Sequence, residues 1–424
     1  MNCNGSKLGK LKNIIFSGLS YIVFGNFLSK FVALLSSILI ARLVDKDEYA
    51  WLSYADNLYS YIALFSGLGL ASALLVVCTN DVTIAKQKGY LNKALVWGGV
   101  FELLMSVLLC VLIQIIPIPF PDARRYAWML LLYPVITFGF NACQAFIRVK
   151  RNNKLYAILG AIQTILVCVF SILLVLASGT DGVVLARYIA VGAVVCVAFL
   201  YLHKGDRRIK AESPTRDEQK KFISVALALM FANLFSGMMP INETFIVNNL
   251  IQDEVITANF KVAGILPSML PIITSSVMVY YFPIIANLRD GKEIRKKVHQ
   301  IAAVNAGVVI VVAIIGMIFS PLIIRIFYGE KYVDATALSY QLWVMRAVNA
   351  TFRMVPLNIM AAIGHSKFNA YVSVFTCIIH AILDYLFISL WNVNGIAYAT
   401  IIVYIISAII MWIKFEKSCS NYTK

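Results

Sequence analysis

HQIAAVNAGVVIVVAIIGMIFSPL, residues 299–322, contains no Asp, Glu, Lys or Arg. A helix crossing the hydrocarbon core of a bilayer needs about 20 mostly apolar residues, and this run is long enough. Comparable runs recur along the chain. Spans are expected at about 16–41, 50–78, 93–116, 126–147, 155–178, 182–202, 222–249, 256–285, 299–322, 337–362, 368–390 and 394–413. Composition agrees: hydrophobic residues make up 60% of the 424 and charged residues 14%, against roughly 25% charged in soluble domains. The chain reads as an all-α integral membrane protein of about twelve transmembrane helices. Pro134, Pro240, Pro267, Pro271 and Pro356 fall inside the spans, where kinks are expected.

The formal net charge is +16, which at first sight suggests a nucleic-acid partner. Its distribution argues for a membrane and against nucleic acid. Lys and Arg outside the spans divide 26 to 6 between alternate loops. The smaller set is Arg42, Lys46, Arg124, Arg125, Arg325 and Lys331. Basic residues accumulate on the cytoplasmic side, so both termini are expected there. Lys7, Lys10 and Lys12 precede the first apolar run without a small-residue cleavage site, so that helix is expected to stay in the membrane. The eight cysteines form no CxxC pair and lie mostly in apolar runs. They read as small buried hydrophobes with no disulfide partner. No Walker loop, HExxH or paired-cysteine zinc pattern is present, so no metal or cofactor is expected, and ATP-driven transport would need a separate subunit.

The longest polar stretch, about 203–221, sits mid-chain. It reads as a cytoplasmic linker (204–221) between an N-terminal six-helix lobe (1–203) and a C-terminal one (222–424). Internal matches support a tandem repeat. Asp47-Glu48 matches Asp253-Glu254, Lys154-Leu155 matches Lys367-Phe368, and Asp181-Gly182-Val183 matches Asn394-Gly395-Ile396. Six helices per repeat is an even number, so both halves keep the same orientation.

Once loop charges are removed, Lys30, Asp56, Glu102, Arg187, Glu243, Lys261, Arg346, Arg353 and Asp384 remain inside the expected spans, together with His380. A charge at the bilayer centre costs about 2.5–3.5 kcal/mol on insertion scales, so it faces protein or a wet cavity. Helical spacing groups these residues on faces. Asp56 follows Tyr49 and Ser53, Glu243 follows Asn233, Ser236 and Pro240, Arg346 precedes Asn349, Arg353 and Pro356, and His380 and Asp384 follow Ser373 and Thr376. The functional expectation is a central polar cavity between the halves, open to one side at a time. The bland alternative is helix-locking ion pairs, or snorkelling at helix ends, for which Lys261 and Glu243 are best placed. Lys30, Arg187, Arg346 and Arg353 form the candidate anion-binding set, because a guanidinium fork grips phosphate through paired hydrogen bonds. Asp56, Glu102, Glu243, Lys261, His380 and Asp384 are candidates for H+ or Na+ coupling or for polar cavity lining. His380 and Asp384 stand four apart and are able to pair. Ser66-Gly67-Leu68-Gly69-Leu70 reads as close helix packing rather than a nucleotide loop.

Several segments carry a family resemblance. They are GNFLSKFVALLSSILIARLVDKDEYAWLSYA (25–55), LFSGLGLASALL (64–75), FYGEKYVDA (327–335), PLNIMAAIGHSKFNAY (356–371) and NVNGIAYATII (392–402). Together they resemble the polysaccharide flippases, the Wzx-type O-antigen and capsule exporters of the multidrug/oligosaccharidyl-lipid/polysaccharide exporter superfamily. The resemblance implies two six-helix lobes in a V shape and a secondary-type transporter, not an enzyme. It implies translocation of an undecaprenyl-pyrophosphate-linked oligosaccharide from inner to outer leaflet by alternating access. The setting it implies is the bacterial inner membrane, among membrane lipids and other glycan-assembly proteins, with cavity cations meeting pyrophosphate and anionic sugars. A drug or cation antiporter similar to the multidrug and toxic compound extrusion proteins is the alternative. A membrane glycosyltransferase or O-antigen polymerase comes third, because the expected outer loops are short.

Overall fold

A computed structural model describes residues 18–78, 82–205, 209–286 and 288–420. Cys3, Lys7, Lys10, Lys12, Arg207, Arg208 and Lys424 lie outside the described residues, as do the side chains of Asn233 and Ser236. Among the described residues there are helices and no strands. In chain order they are α1 (Gly18–Leu43), α2 (Lys46–Phe65), α3 (Leu70–Val77), α4 (Ile84–Ile115), α5 (Ala123–Met129), α6 (Tyr133–Val149) and α7 (Asn153–Gly205), then α8 (Arg216–Ile251), α9 (Glu254–Ile265), α10 (Leu270–Ala286), α11 (Gly291–Ile323), α12 (Ala335–Val348), α13 (Met354–Ala362), α14 (Ser366–Trp391) and α15 (Asn394–Ser420).

The stretch quoted first forms most of α11, and it is amphipathic in the sense a membrane demands. Val304, Val308, Val311, Ile315, Ile318 and Leu322 are exposed, while Asn305 and Ser320 are buried. Steps of three and four put the exposed set on one stripe. An apolar stripe turned outward with polar groups turned inward suits a lipid solvent. Eight helices among the described residues are long and apolar enough to cross a membrane, or nine if α5 and α6, bent by 44°, count as one. The tally does not confirm twelve spans but is consistent with them, since α7 counts once yet doubles back and α8 is not counted. Ser178 and Gly179 leave helical geometry, and a Cβ on Gly182 would stand 2.0 Å from the Leu174 carbonyl oxygen, eight residues upstream. The same contact recurs 213 residues later, where a Cβ on Gly395 would stand 2.1 Å from the Phe387 carbonyl oxygen. The repeat legible as Asp181-Gly182-Val183 and Asn394-Gly395-Ile396 is thus a repeated hairpin.

Several expected spans are broken. α2 and α3 are separated by Ser66–Gly69, all with positive φ (41°, 55°, 60° and 76°). Close packing was expected of this glycine pair and is present: a Cβ on Gly69 would stand 2.3 Å from the Ala226 carbonyl oxygen. The helix itself does not run through, because four left-handed residues cannot continue a right-handed turn. α9 and α10 are likewise separated by a 3-10 turn at Pro267–Met269. α12 passes into α13 through a π-turn at Asn349–Arg353.

The chain divides into two compact units, Met1–Leu234 and Phe235–Lys424. The division falls inside α8 because its first turns pack on the first unit. Phe222 meets Tyr90 edge-on at 5.1 Å, and Phe222 and Ala226 join the core around Leu74, Phe138 and Phe146. The linker before it is strapped to the start of α4. Lys86 Nζ donates to Glu218 Oε1 at 2.7 Å, Lys88 Nζ to the Ile209 carbonyl at 2.8 Å, and the Glu212 N–H to the Ala85 carbonyl at 2.9 Å. Thr215 and Glu218 form a capping box at the head of α8. The Lys86 ammonium, and then the Thr215 N–H, hold the Glu218 carboxyl below the usual carboxylate range. Its contribution to the strap is therefore complete above the ordinary carboxylate pKa and is lost as pH falls through the lowered value. The core of the second unit gathers Ile285, Val298, Val355, Met411 and Phe415.

The two hairpins give a direct test. Gly182→Val and Gly395→Val are expected to abolish most of the folded, monodisperse protein in detergent, because the clash is with backbone. Gly192→Val and Gly307→Val, with open space at the Cβ position, are expected to behave as wild type in the same size-exclusion profile.

Candidate functional site

The intramembrane charges gather into two networks, one inside each unit. In the first unit, helical steps place Tyr49, Ser53, Asp56 and Ser60 along one face of α2. Asp56 faces Arg187 on the returning arm of α7. The guanidinium grips the carboxylate with both arms, Nη1 to Oδ1 at 2.5 Å and Nη2 to Oδ2 at 2.8 Å. This fork-on-fork geometry makes two parallel charge-assisted hydrogen bonds, roughly twice as strong as neutral ones. Glu102 reaches the same region from α4 and is 2% exposed. Its Oε1 accepts the Gly67 N–H at 2.6 Å, a donor freed by the left-handed turn. Its Oε2 has no hydrogen-bond partner. The Phe138 ring is wedged beside both Gly67 and Gly98, where added Cβ atoms would stand 2.2 Å and 2.1 Å from ring carbons. Above that ring lies a cavity of about 380 Å³ lined by Asp56, Glu102, Arg187, Tyr59, Tyr133 and Thr137, among others. The break between α5 and α6 beside it is bridged by Tyr188, whose hydroxyl donates to the Met129 carbonyl at 2.7 Å and accepts the Leu132 N–H at 3.1 Å.

The second unit holds the larger network. Glu243 on α8 is 1% exposed. Its Oε2 accepts from Arg346 Nη2 at 2.7 Å, and Arg346 Nη1 donates to the Tyr404 hydroxyl at 3.3 Å. Arg353, at the end of the π-turn, lies over the Tyr404 ring with its Cζ 5.4 Å from the centroid. It donates to Ser407 Oγ at 3.1 Å and to Asn349 Oδ1 at 3.4 Å. No carboxylate reaches Arg353 among the described residues. The backbone groups loosened by the π-turn and by Pro356 are taken up by side chains. Thr274 Oγ1 and Asn305 Nδ2 donate to the Ala350 carbonyl at 3.1 Å and 3.0 Å. Trp412 Nε1 donates at 3.0 Å to the Phe352 carbonyl, which Pro356 has no N–H to meet.

His380 and Asp384 are both fully buried on α14. His380 Nε2 lies 2.9 Å from Thr400 Oγ1, whose own proton goes to the Ile396 carbonyl at 2.7 Å. Thr400 therefore accepts, and Nε2 carries the hydrogen. His380 Nδ1 then faces Asp384 Oδ2 at 3.1 Å, without hydrogen-bond alignment.

The ten charged and titratable residues singled out in sequence thus separate. Asp56, Glu102 and Arg187 come together in the first unit, and Glu243, Arg346, Arg353, His380 and Asp384 in the second. Lys30 is exposed on α1. Lys261 is half-buried on α9. Glu243 does not snorkel: it is sealed against Arg346, because it lies well inside α8 rather than at its end. Two of the four candidate anion-binding cations, Arg187 and Arg346, are occupied by carboxylates. Tyr404, Thr400 and Ser407 were not singled out in sequence, although their spacing of four and three within an apolar span is a legible polar face.

A model of the polysaccharide biosynthesis protein family matches residues 39–337. The chain belongs to this family. The model of the lipid II flippase MurJ matches residues 265–424. Among curated proteins, a candidate O-antigen transporter of Shigella flexneri is 23% identical over 248 residues, which is 58% of this chain and 58% of that protein. The match thus spans little more than half of that relative's length. Among solved structures, an inward closed lipid II flippase MurJ aligns with a TM-score of 0.75 at 16% identity, covering 94% of this chain and 90% of that one. An inward-facing multidrug-resistance transporter of the MATE family aligns with a TM-score of 0.66 at 18% identity, covering 93% and 95%. At such identities the likeness establishes the fold. The family member is a multi-pass membrane protein whose relatives are flippases and transporters rather than enzymes.

Arg346→Ala would leave Glu243 buried without its partner. The expected cost is about 3–5 kcal/mol, read as a fall in melting temperature and in membrane protein level. Replacing both, as Arg346→Met with Glu243→Leu, is expected to recover most of that loss.

Proposed function

We propose that this chain moves undecaprenyl-pyrophosphate-linked oligosaccharide repeat units from the inner to the outer leaflet of a bacterial inner membrane. It does so by alternating access, with both termini in the cytoplasm and the proton gradient as the drive. Family membership and the match to a candidate O-antigen transporter support the class of cargo. The observation that carries the anionic head group is Arg353. It is a guanidinium 7% exposed within the membrane-spanning region, held by neutral acceptors and an aromatic face instead of a carboxylate. A buried cation left in that state has charge to offer a phosphate. Lys30, exposed on α1, is the second cation assigned to the anionic group, while Arg187 and Arg346 serve their carboxylates first. The buried juxtaposition of His380 Nδ1 and Asp384 Oδ2, 3.1 Å apart, supports proton coupling. The cytoplasmic placement of the termini rests on the 26 to 6 division of basic residues.

One observation favours the second reading, a drug or cation antiporter. The cavity of the first unit has two carboxylates against one guanidinium, a balance that suits a cation.

The test is complementation of a strain lacking its own glycan flippase, with surface polysaccharide as readout. Wild type is expected to restore the glycan. Arg353→Ala is expected to cut export severely at normal protein level, and Arg353→Lys to retain part of it. Drug resistance without any effect on surface glycan would establish the antiporter instead. An uncoupler that collapses the proton gradient is expected to stall export, and undiminished export would remove proton coupling.

A further inference from the structure

We infer that the cavity of the first unit is a sugar-ring subsite, taking a neutral or amino-bearing sugar of the lipid-linked glycan and rejecting its pyrophosphate. The inference deepens the flippase proposal and rests on it.

Size comes first. About 380 Å³ lies at the low end of the roughly 300–1,000 Å³ of small-molecule pockets, and suits a ring or two of a glycan. Charge comes second. Asp56 and Glu102 oppose a single guanidinium, Arg187, whose two Nη groups are already committed to both oxygens of Asp56. Such a wall repels a phosphate and has no free fork to grip one.

Unmet hydrogen bonding comes third and weighs most. Glu102 and Thr137 line the cavity, and their buried Oε2 and Oγ1 atoms have no hydrogen-bond partner. An orphaned buried carboxylate oxygen is costly to keep, and Glu102 needs a donor. A pyrophosphate has none to give. Sugar hydroxyls and amines are donors, and the Thr137 hydroxyl answers them as either donor or acceptor. The rings of Tyr59, Tyr133 and Phe138 supply apolar faces against which the C–H face of a pyranose packs. Tyr59 is held rigid, because its hydroxyl donates to the Ala127 carbonyl at 2.8 Å.

The test uses the purified full-length protein in nanodiscs, with sugar contact read by saturation-transfer NMR and contact of pyrophosphate and sodium by broadening of their 31P and 23Na lines. The probes are N-acetylglucosamine, glucosamine, glucuronate, inorganic pyrophosphate and sodium ion. Signals are expected for the first two and not for glucuronate or pyrophosphate. Ala63→Phe, which fills the cavity from a lining position without touching its charges, is expected to erase them. Glu102→Gln and Thr137→Val keep shape and fold, and each is expected to weaken sugar binding, about tenfold for the loss of the Glu102 charge. An equal response to pyrophosphate, or sugar signals unchanged in all three variants, would overturn the subsite. Sodium binding that Ala63→Phe abolishes, with no sugar signal, would overturn it as well and make the cavity a cation site. Export in the complemented strain is read separately. Export without sugar contact sinks the subsite and leaves the flippase standing, whereas sugar contact without export keeps the sugar site and sinks the flippase.

Discussion

Asp56 with Arg187 and Glu243 with Arg346 are the interactions around which the rest is arranged. Lipid offers no water to solvate a charge, so a carboxylate or guanidinium in a spanning helix must be met by protein. Each pair is made by residues far apart in the chain, separated by 131 and 103 positions. Each therefore fixes which helices become neighbours. The same need governs the backbone. At three of the helix breaks, Ser66–Gly69, Met129–Tyr133 and Asn349–Arg353, a side chain supplies the missing partner: Glu102, Tyr188, and Thr274 with Asn305. Polar side chains inside these units therefore have two duties. They neutralise charge, and they stitch the breaks that leave room for a cavity.

The breaks also locate function. A continuous helix packs against its neighbours along its length and leaves no chamber. The left-handed turn after α2 turns the Gly67 N–H toward Glu102 and packs its glycine against Phe138, the floor of the cavity. The π-turn before α13 carries Arg353 into contact with Tyr404 rather than with an acid. Inserted turns of this kind are frequent at functional sites. In both units the departure from regular geometry and the residues of chemical interest coincide.

Much of the fold was legible in one sequence because the bilayer imposes it residue by residue. Twenty-odd apolar residues make a span, and α11 alone shows the inverted polarity that follows. The repeat was legible at Gly182 and Gly395, where only glycine permits the returning helix of the hairpin. The grouping of polar residues on helix faces was legible too, and it placed Asp56, Arg353, His380 and Asp384. Pairing was not. Nothing in the local pattern says that Asp56 will meet Arg187 or that Glu243 will meet Arg346. Glu243 pointed to snorkelling because it lies six residues from the end of its expected span and the sequence does not show that Arg346 meets it. The break at Ser66–Gly69 was hidden because glycines serve helix packing and helix breaking alike.

The central claim is that paired charge inside the spanning region holds each unit together. A double-mutant cycle on Asp56→Asn and Arg187→Gln, followed by thermal unfolding of the purified protein, tests it most directly. The two replacements together are expected to cost less than the sum of the singles by about 1–3 kcal/mol. Strict additivity of the two losses would mean that the charges do not depend on each other, and would contradict the account.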